Sequence, residues 1–162
     1  LLSASTEKAF VSSRPGQWKS TLLESLPQIT DRYVDMGPMG GILSAMTKYP
    51  KAAWLVLACD LPFVNEDSIK TLIGKRNPFR FATAYKSTKE PYLPEPLCAI
   101  YEPKGVFSLL ESIGRGENCP RKVLINSYVS LIDQNIEYEL DNVNNYQEYE
   151  SAKSIIKGIQ ND

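Results

Sequence analysis

The stretch AAWLVLACDLPFV, residues 52–64, decides the fold that the sequence predicts. Residues 52–59 form a continuous apolar run without alternation, which indicates a strand buried on both faces in a parallel sheet covered by helices. The run ends at Asp60, and Pro62 follows two residues later. We therefore predict a buried strand that ends in a carboxylate, and the rest of the chain bears on what that carboxylate does.

Helical and strand patterns alternate on both sides of this stretch. Before it, short strands are predicted over residues 9–13 and 33–36, and GPMGG, residues 37–41, opens an apolar-periodic helix. After it come a helix N-capped by Asn65, two strands, two helices, a strand and a terminal helix, with the sequences NEDSIKTLIGKR, FRFATAYKS, PLCAIYE, GVFSLLESIGRG, RKVLINS, YVSLID and NYQEYESAKSIIKGI. This alternation predicts an α/β fold with a doubly wound, mostly parallel sheet in a three-layer arrangement. Because the sequence shows no internal repeat and no linker, residues 1–162 are expected to form one domain.

The composition excludes several classes of function. The 18 basic and 19 acidic residues are interspersed and give a formal net charge of −1, so the chain lacks the charge pattern of a nucleic-acid-binding protein. No apolar run approaches the roughly 20 residues that cross a bilayer, so no membrane contact is predicted. The absence of histidine excludes Ser-His-Asp and Cys-His hydrolases and His-ligated zinc. The three cysteines form no CxxC pair, and the two that lie inside apolar runs, Cys59 and Cys98, are expected to be buried free thiols in a reducing cytoplasm.

Asp60 is a candidate ligand for a divalent cation. In an open α/β sheet, ligands bind beyond the carboxyl ends of the strands, where the strand order reverses. A carboxylate there suits Mg²⁺, which prefers oxygen ligands and bridges substrate phosphates. The alternative, which the local pattern alone favours, is that Asp60 only caps the following turn.

The glycines of GPMGG would let the backbone approach a ligand closely at a helix N-terminus, although the motif alone favours an ordinary tight turn. The asparagines at 142, 144 and 145 precede the terminal helix. Their amide oxygens can complete a metal shell or bind a sugar hydroxyl, and N-capping accounts for one of them better than for three. Arg121 and Lys122 could neutralise a phosphate or form a solvated basic pair.

Four stretches in register carry a resemblance over essentially the whole chain: VDMGPMGGILSAM, WLVLACDLPFV, EPLCAIYEP and DNVNNYQEYESAK. Together they resemble the MobA-type molybdenum cofactor guanylyltransferases, a family of nucleotidyltransferases. The resemblance implies a Rossmann-like fold, a cytoplasmic location, and Mg²⁺-dependent transfer of GMP from GTP to molybdopterin with release of pyrophosphate. It also implies transient contact with other proteins of the cofactor pathway.

The resemblance carries roles to particular residues. Asp60 matches the family's Mg²⁺ ligand, and Asn144 matches an asparagine that completes the metal site, so these two would be the catalytic positions. Arg121 and Asn142 match positions that bind the pterin substrate. The nucleotide-binding positions fall on Asp60, Asp31, Gly37, Pro38, Gly41 and either Ser12 or Ser13, with Ser13 preferred.

One element of the family's pattern is absent. The signature LxGGxSxRMGxxK, a glycine-rich phosphate loop after the first strand, does not occur in residues 1–162. Since LLSASTEKAFVSS resembles the region shortly after that loop, the natural protein is expected to carry the first strand and the loop upstream of Leu1. This polypeptide alone would then catalyse the reaction inefficiently.

Three alternatives remain open at this point. The first is a nucleotidyltransferase with another base or acceptor, using CTP with molybdopterin or acting on a sugar phosphate. The second is a non-catalytic nucleotide- or pterin-binding module that regulates, or partners with, another protein of the cofactor pathway. The third is a generic Rossmann-like domain in which Asp60 only caps a turn.

Overall fold

A computed structural model describes residues 1–90 and 92–159 of the chain. Its strands are β1 Val11–Ser13, β2 Gln28–Thr30, β3 Trp54–Leu57, β4 Ala82–Lys86, β5 Pro94–Tyr101 and β6 Val129–Ile132. Its α-helices are α1 Leu2–Ser5, α2 Gly37–Lys48, α3 Glu66–Gly74, α4 Val106–Gly114, α5 Pro120–Ile125 and α6 Tyr146–Ile159, and 3₁₀ turns lie at Leu22–Ser25 and Pro103–Gly105.

The main sheet has the strand order β3-β5-β4-β6. Strands β3, β4 and β6 run in one direction, and β5 runs antiparallel to both of its neighbours. Strands β1 and β2 form a separate parallel pair. The predicted α/β fold with a mostly parallel sheet is confirmed, and β5 is the exception in direction.

Apolar side chains cover both faces of the main sheet, because successive side chains of a strand point to opposite faces. One core contains Ala99 and Tyr101 of β5 with residues of α2, α4 and α5. The other contains Cys98 and Ile100 of the same strand with Leu72 of α3. The two cores make the three layers that the alternation of elements predicted.

Helix α2 joins the two sheets, since it packs against β1, β2 and β3. Beside it, the rings of Phe10, Tyr49 and Trp54 lie 5.6 to 5.9 Å apart. Within the described residues, β1 pairs only with β2 and β3 pairs only with β5, and the buried Nε1 of Trp54 has no hydrogen-bond partner. The two sheets therefore present unpaired strand edges on either side of an aromatic cluster.

Several predicted elements need correction. Residues 33–36 form bends and turns rather than a strand. The strand lies earlier, at Gln28–Thr30, where the sequence shows no alternation of polar and apolar residues long enough to predict it. GPMGG opens α2, as predicted, and all five of its residues belong to the helix. The strand predicted over residues 52–59 spans Trp54–Leu57 only, and its side chains are half-buried because, among the residues that the structure describes, β3 is paired on one side only. Cys59, two residues beyond the strand, is exposed rather than buried.

The remaining helices and strands lie where their patterns placed them. Helix α3 shows why: Asn65 accepts from the backbone N–H of Ser68 at 3.0 Å, and Ser68 Oγ accepts from the backbone N–H of Asn65 at 3.1 Å. This capping box is specified by local sequence alone. No helix in residues 1–90 or 92–159 combines the length and the apolar character of a membrane span.

Candidate functional site

The end of β3 lies against the segment that precedes α6. The backbone oxygen of Asp60 accepts a hydrogen bond of 2.9 Å from the backbone N–H of Val143. Asn142 and Asn144 flank Val143 in the chain, so this bond brings both asparagines to the neighbourhood of Asp60. The segment that carries the predicted ligand Asn144 thus runs beside Asp60, the other residue predicted for a metal site.

A cavity of about 250 Å³ opens at this point. Its walls include Asp60, Asn142 and Arg121, three of the predicted site residues, which are more than 20 residues apart in sequence. Lys89, Glu90 and Glu95 also line it. Three carboxylates and two basic side chains therefore face one space, which suits a phosphorylated ligand that arrives with a cation.

Arg121 is not a free cation in this cavity. Its Nη2 donates to Glu95 Oε2 at 2.9 Å, and its Nη1 donates to Glu90 Oε2 at 3.2 Å. Lys89 is likewise paired, with Asp141 Oδ1 at 3.0 Å. Sequence reasoning found Arg121 but missed its two partners. The available signal for Glu95 was its place as the first residue of EPLCAIYEP, one of the stretches that carry the resemblance.

The asparagines divide into a cap and candidate ligands. Asn145 Oδ1 accepts from the backbone N–H of Glu148 at 3.0 Å, which makes Asn145 the N-terminal cap of α6. Glu148 Oε2 accepts in turn from the backbone N–H of Asn144 at 2.7 Å. Asn142 lines the cavity, whereas Asn144 is exposed two residues further along and is bound there through its backbone. Capping thus explains one of the three asparagines, as the sequence suggested.

The donor set around Asp60 fits one hard cation. Within the described residues, no three His, Cys, Asp or Glu side chains form a metal-binding group. Mg²⁺, however, usually binds one or two carboxylates and takes its other ligands from water and substrate phosphates. Asp60 and Asn142, which line the same cavity, are compatible with that pattern, and they do not make a closed all-protein metal cage.

Cys98 contributes a neutral wall to the cavity. Burial raises the pKa of its thiol to about 12, so the group stays protonated near neutral pH. A neutral buried thiol is a poor nucleophile. The chemistry of the cavity therefore has to come from its charged groups and from a bound ligand.

A second polar group surrounds the start of α2. Ser12 Oγ donates to Asp31 Oδ1 at 3.3 Å. A Cβ atom on Gly41 would lie 2.6 Å from Ser12 Oγ and 3.5 Å from Asp31 Oδ1. A side chain at position 41 would therefore displace the Ser12 hydroxyl from its contact with Asp31. We call Ser12, Asp31 and Gly41 the Asp31 group.

The preference for Ser13 over Ser12 is not supported by the structure. Ser13 is buried, and its Oγ donates to Gln28 Oε1 at 3.0 Å in the adjacent strand. Ser12 is exposed and contacts Asp31. The two serines point to opposite faces because they are neighbours in one strand. Gly37 and Pro38 lie exposed in the first turn of α2, and Gly37 has a φ of +52°.

Comparisons with known proteins agree with this geometry. Residues 1–131 match the family model of the MobA-like NTP transferase domain. The chain is 36% identical over 149 residues to the "Molybdenum cofactor biosynthesis bifunctional protein" of Synechocystis sp., which covers 92% of this chain and 43% of that protein. It is 29% identical over 156 residues to a "Probable molybdenum cofactor guanylyltransferase" of Clostridium perfringens, covering 96% of this chain and 70% of that protein.

A solved structure shares the fold. The molybdopterin-guanine dinucleotide biosynthesis protein A of Archaeoglobus fulgidus superposes with a TM-score of 0.66 at 22% identity, over 82% of this chain and 69% of that one. The chain thus spans less than half the length of the Synechocystis relative and about two thirds of the other two proteins.

Proposed function

The chain belongs to the MobA-like NTP transferase family, and on that premise we propose that the natural protein transfers GMP from GTP to molybdopterin. A phosphate oxygen of molybdopterin attacks the α-phosphorus of GTP, a new P–O bond forms, and the bond to the bridging oxygen breaks. Pyrophosphate leaves with the electron pair of that bond. The guanylyltransferase of Clostridium perfringens and the molybdopterin-guanine dinucleotide protein of Archaeoglobus fulgidus support this nucleotide and this acceptor by their names.

The observation that carries the proposal is the meeting of Asp60, Asn142 and Arg121 at one cavity. Asp60, with Asn144 nearby, would hold Mg²⁺. When bound, the ion would neutralise charge on the phosphate oxygens and orient them. Arg121 and Asn142 would bind the phosphate of the acceptor. The reaction needs no protein nucleophile, in agreement with the neutral thiol of Cys98, so the chain's contribution is positioning and electrostatics.

The Asp31 group would bind the nucleoside. An ionised carboxylate accepts hydrogen bonds only, and the edge of guanine carries N–H donors that cytosine and uracil do not present in the same arrangement. Gly41, with Gly37 and Pro38 in the first turn of α2, would let backbone lie against the base and ribose. Ser12, which contacts Asp31, replaces Ser13 in this role.

We also propose that a strand outside the 162 residues pairs between β1 and β3 and carries the glycine-rich phosphate loop. Three observations support it: the unpaired edges of β1 and β3, the packing of α2 on both sheets, and the unpartnered Nε1 of Trp54 among the described residues. Buried N–H groups are nearly always satisfied, and a neighbouring strand would offer carbonyl groups to Trp54. Contact with other cofactor-pathway proteins and a cytoplasmic location stay predictions.

The test is a nucleotide panel with the protein expressed from its complete reading frame. Molybdopterin, Mg²⁺ and one of GTP, CTP or UTP are incubated, and pyrophosphate release is measured together with the mass of the pterin product. GTP is expected to give turnover and a product heavier by one GMP. Turnover with CTP instead would identify a cytidylyltransferase. Nucleotide binding without pyrophosphate release would favour a binding module and contradict the proposal.

A further inference from the structure

Arg121 is held by two carboxylates that belong to different parts of the fold. Glu95 is in β5, beside Pro94, which pairs with Lys86 of β4, and its side chain is 21% exposed. Glu90 lies in the connection between β4 and β5, and its side chain is 57% exposed. One partner is thus fixed by the sheet, and the other is on the surface.

The two bonds differ in the way that their surroundings predict. The bond from Nη2 to Glu95 is 2.9 Å long, and the bond from Nη1 to Glu90 is 3.2 Å long. An ion pair shielded from solvent is screened less by water and salt than one at the surface. Glu95 is therefore the stronger partner of Arg121, and Glu90 is the one that another anion can replace.

The guanidinium group has donors to spare for such an anion. Arginine carries five N–H donors in a planar fork, and the two carboxylates each engage one nitrogen. A phosphate group binds two donors of the fork at once, which one exposed carboxylate oxygen does not. Replacement of Glu90 by a phosphate would keep the bond to Glu95 intact.

We propose that Glu95 is the positioning residue of Arg121 and that Glu90 is an internal anion which occupies Arg121 until the acceptor's phosphate replaces it. This inference rests on the proposed function, in which Arg121 binds that phosphate. Glu95 orients the guanidinium towards the cavity. Glu90 competes with the acceptor and so sets how tightly the acceptor binds.

The paired variants Glu95→Gln and Glu90→Gln test this division, since each removes one charge and keeps the side-chain shape. Glu95→Gln is expected to raise the KM for molybdopterin about tenfold, because a charge-assisted bond to the binding arginine is lost. Glu90→Gln is expected to lower the same KM about threefold, because the competitor is weakened. The kcat is expected to stay within about twofold in both variants, and Glu95→Asp should recover part of the loss.

A second readout does not depend on the transfer reaction. In ¹⁵N spectra of the arginine side chains, the Nη protons of Arg121 should be resolved in the wild type and in Glu90→Gln, and averaged by rotation in Glu95→Gln. Inorganic phosphate, titrated without Mg²⁺, should bind Glu90→Gln more tightly than the wild type and Glu95→Gln more weakly.

The two readouts separate the possible failures. If the wild type transfers no GMP but the spectra and the phosphate titrations behave as described, the proposed function fails and the roles of Glu90 and Glu95 stand. If Glu90→Gln raises the KM or weakens phosphate binding, the role of Glu90 is overturned. If the Nη protons of Arg121 remain resolved in Glu95→Gln, the role of Glu95 is overturned.

Discussion

The three cysteines differ in solvent exposure, and this difference can be measured by their reactivity. Cys59 and Cys119 are exposed, whereas Cys98 is buried with a pKa raised by burial to about 12. A thiol-reactive disulfide reagent at pH 8 is therefore expected to label two cysteines in the native protein and three in guanidinium chloride. Reactivity follows the thiolate, so labelling of Cys98 should remain slow up to about pH 10.

The control for this experiment is Cys98→Ala, whose native and denatured proteins should both show two reactive thiols. Three thiols reacting at similar rates in the native wild type would contradict the burial of Cys98. That result would also reopen the question of a nucleophile in the cavity.

Residues of the site were predictable from the sequence to different degrees. The place of Asp60 after a strand was predictable, because it directly follows an apolar run, but its role as a metal ligand comes from the resemblance and stays a prediction. The choice between Ser12 and Ser13 was not, because a three-residue strand carries too few side chains to fix its face. Glu90 and Glu95 were missed because charge pairs across 26 to 31 residues of sequence leave no local pattern.

At the scale of elements, the start of α2 depends on two adjacent glycines for different reasons. A Cβ atom on Gly40 would lie 2.6 Å from the backbone oxygen of Tyr33, whereas one on Gly41 would meet the side chain of Ser12. The backbone oxygen of Tyr33 cannot move away from an added Cβ atom, whereas the Ser12 hydroxyl can rotate away from it. Gly40→Ala is therefore expected to lower the free energy of unfolding by about 1 to 3 kcal/mol, and Gly41→Ala is expected to change it by less than about 1 kcal/mol.

Gly41→Ala should instead weaken nucleotide binding, because the displaced Ser12 disturbs its contact with Asp31. Urea unfolding and GTP titration of both variants separate the two effects, and Gly114→Ala, where a Cβ meets no atom within 4 Å, is the control. Equal loss of stability in Gly40→Ala and Gly41→Ala would contradict the packing described for α2.

Helices and strands were predicted well where residues close in sequence determine them. The capping box of α3 and the apolar periodicity of α4 are both signals of this local kind. Strand β2 was missed because it is only three residues long and is held by its pairing with β1. Strand β3 was given burial on both faces because an apolar run does not report whether its strand is central or at an edge.

At the scale of the whole molecule, the proposed function uses two polar groups that are far apart in sequence. The Asp31 group lies where β1 and β2 end against α2, and Asp60 follows β3, which packs on the same helix. A nucleotide held by the Asp31 group and an acceptor held in the cavity would require a cation near Asp60 to bring their phosphates together. The alternation of elements predicted this layered frame, but not the antiparallel β5 that forms one wall of the cavity.

The central claim is that Asp60 holds Mg²⁺ for phosphoryl transfer, and the rate of GMP transfer by Asp60→Asn tests it most directly. The measurement uses the protein from its complete reading frame, a Mg²⁺ titration, and Glu7→Gln as an exposed control carboxamide. We expect Asp60→Asn to unfold like the wild type. Its kcat is expected to fall at least about a hundredfold, as the kcat of the wild type would when EDTA removes Mg²⁺. Near-normal turnover by Asp60→Asn, with an unchanged Mg²⁺ dependence, would contradict the account.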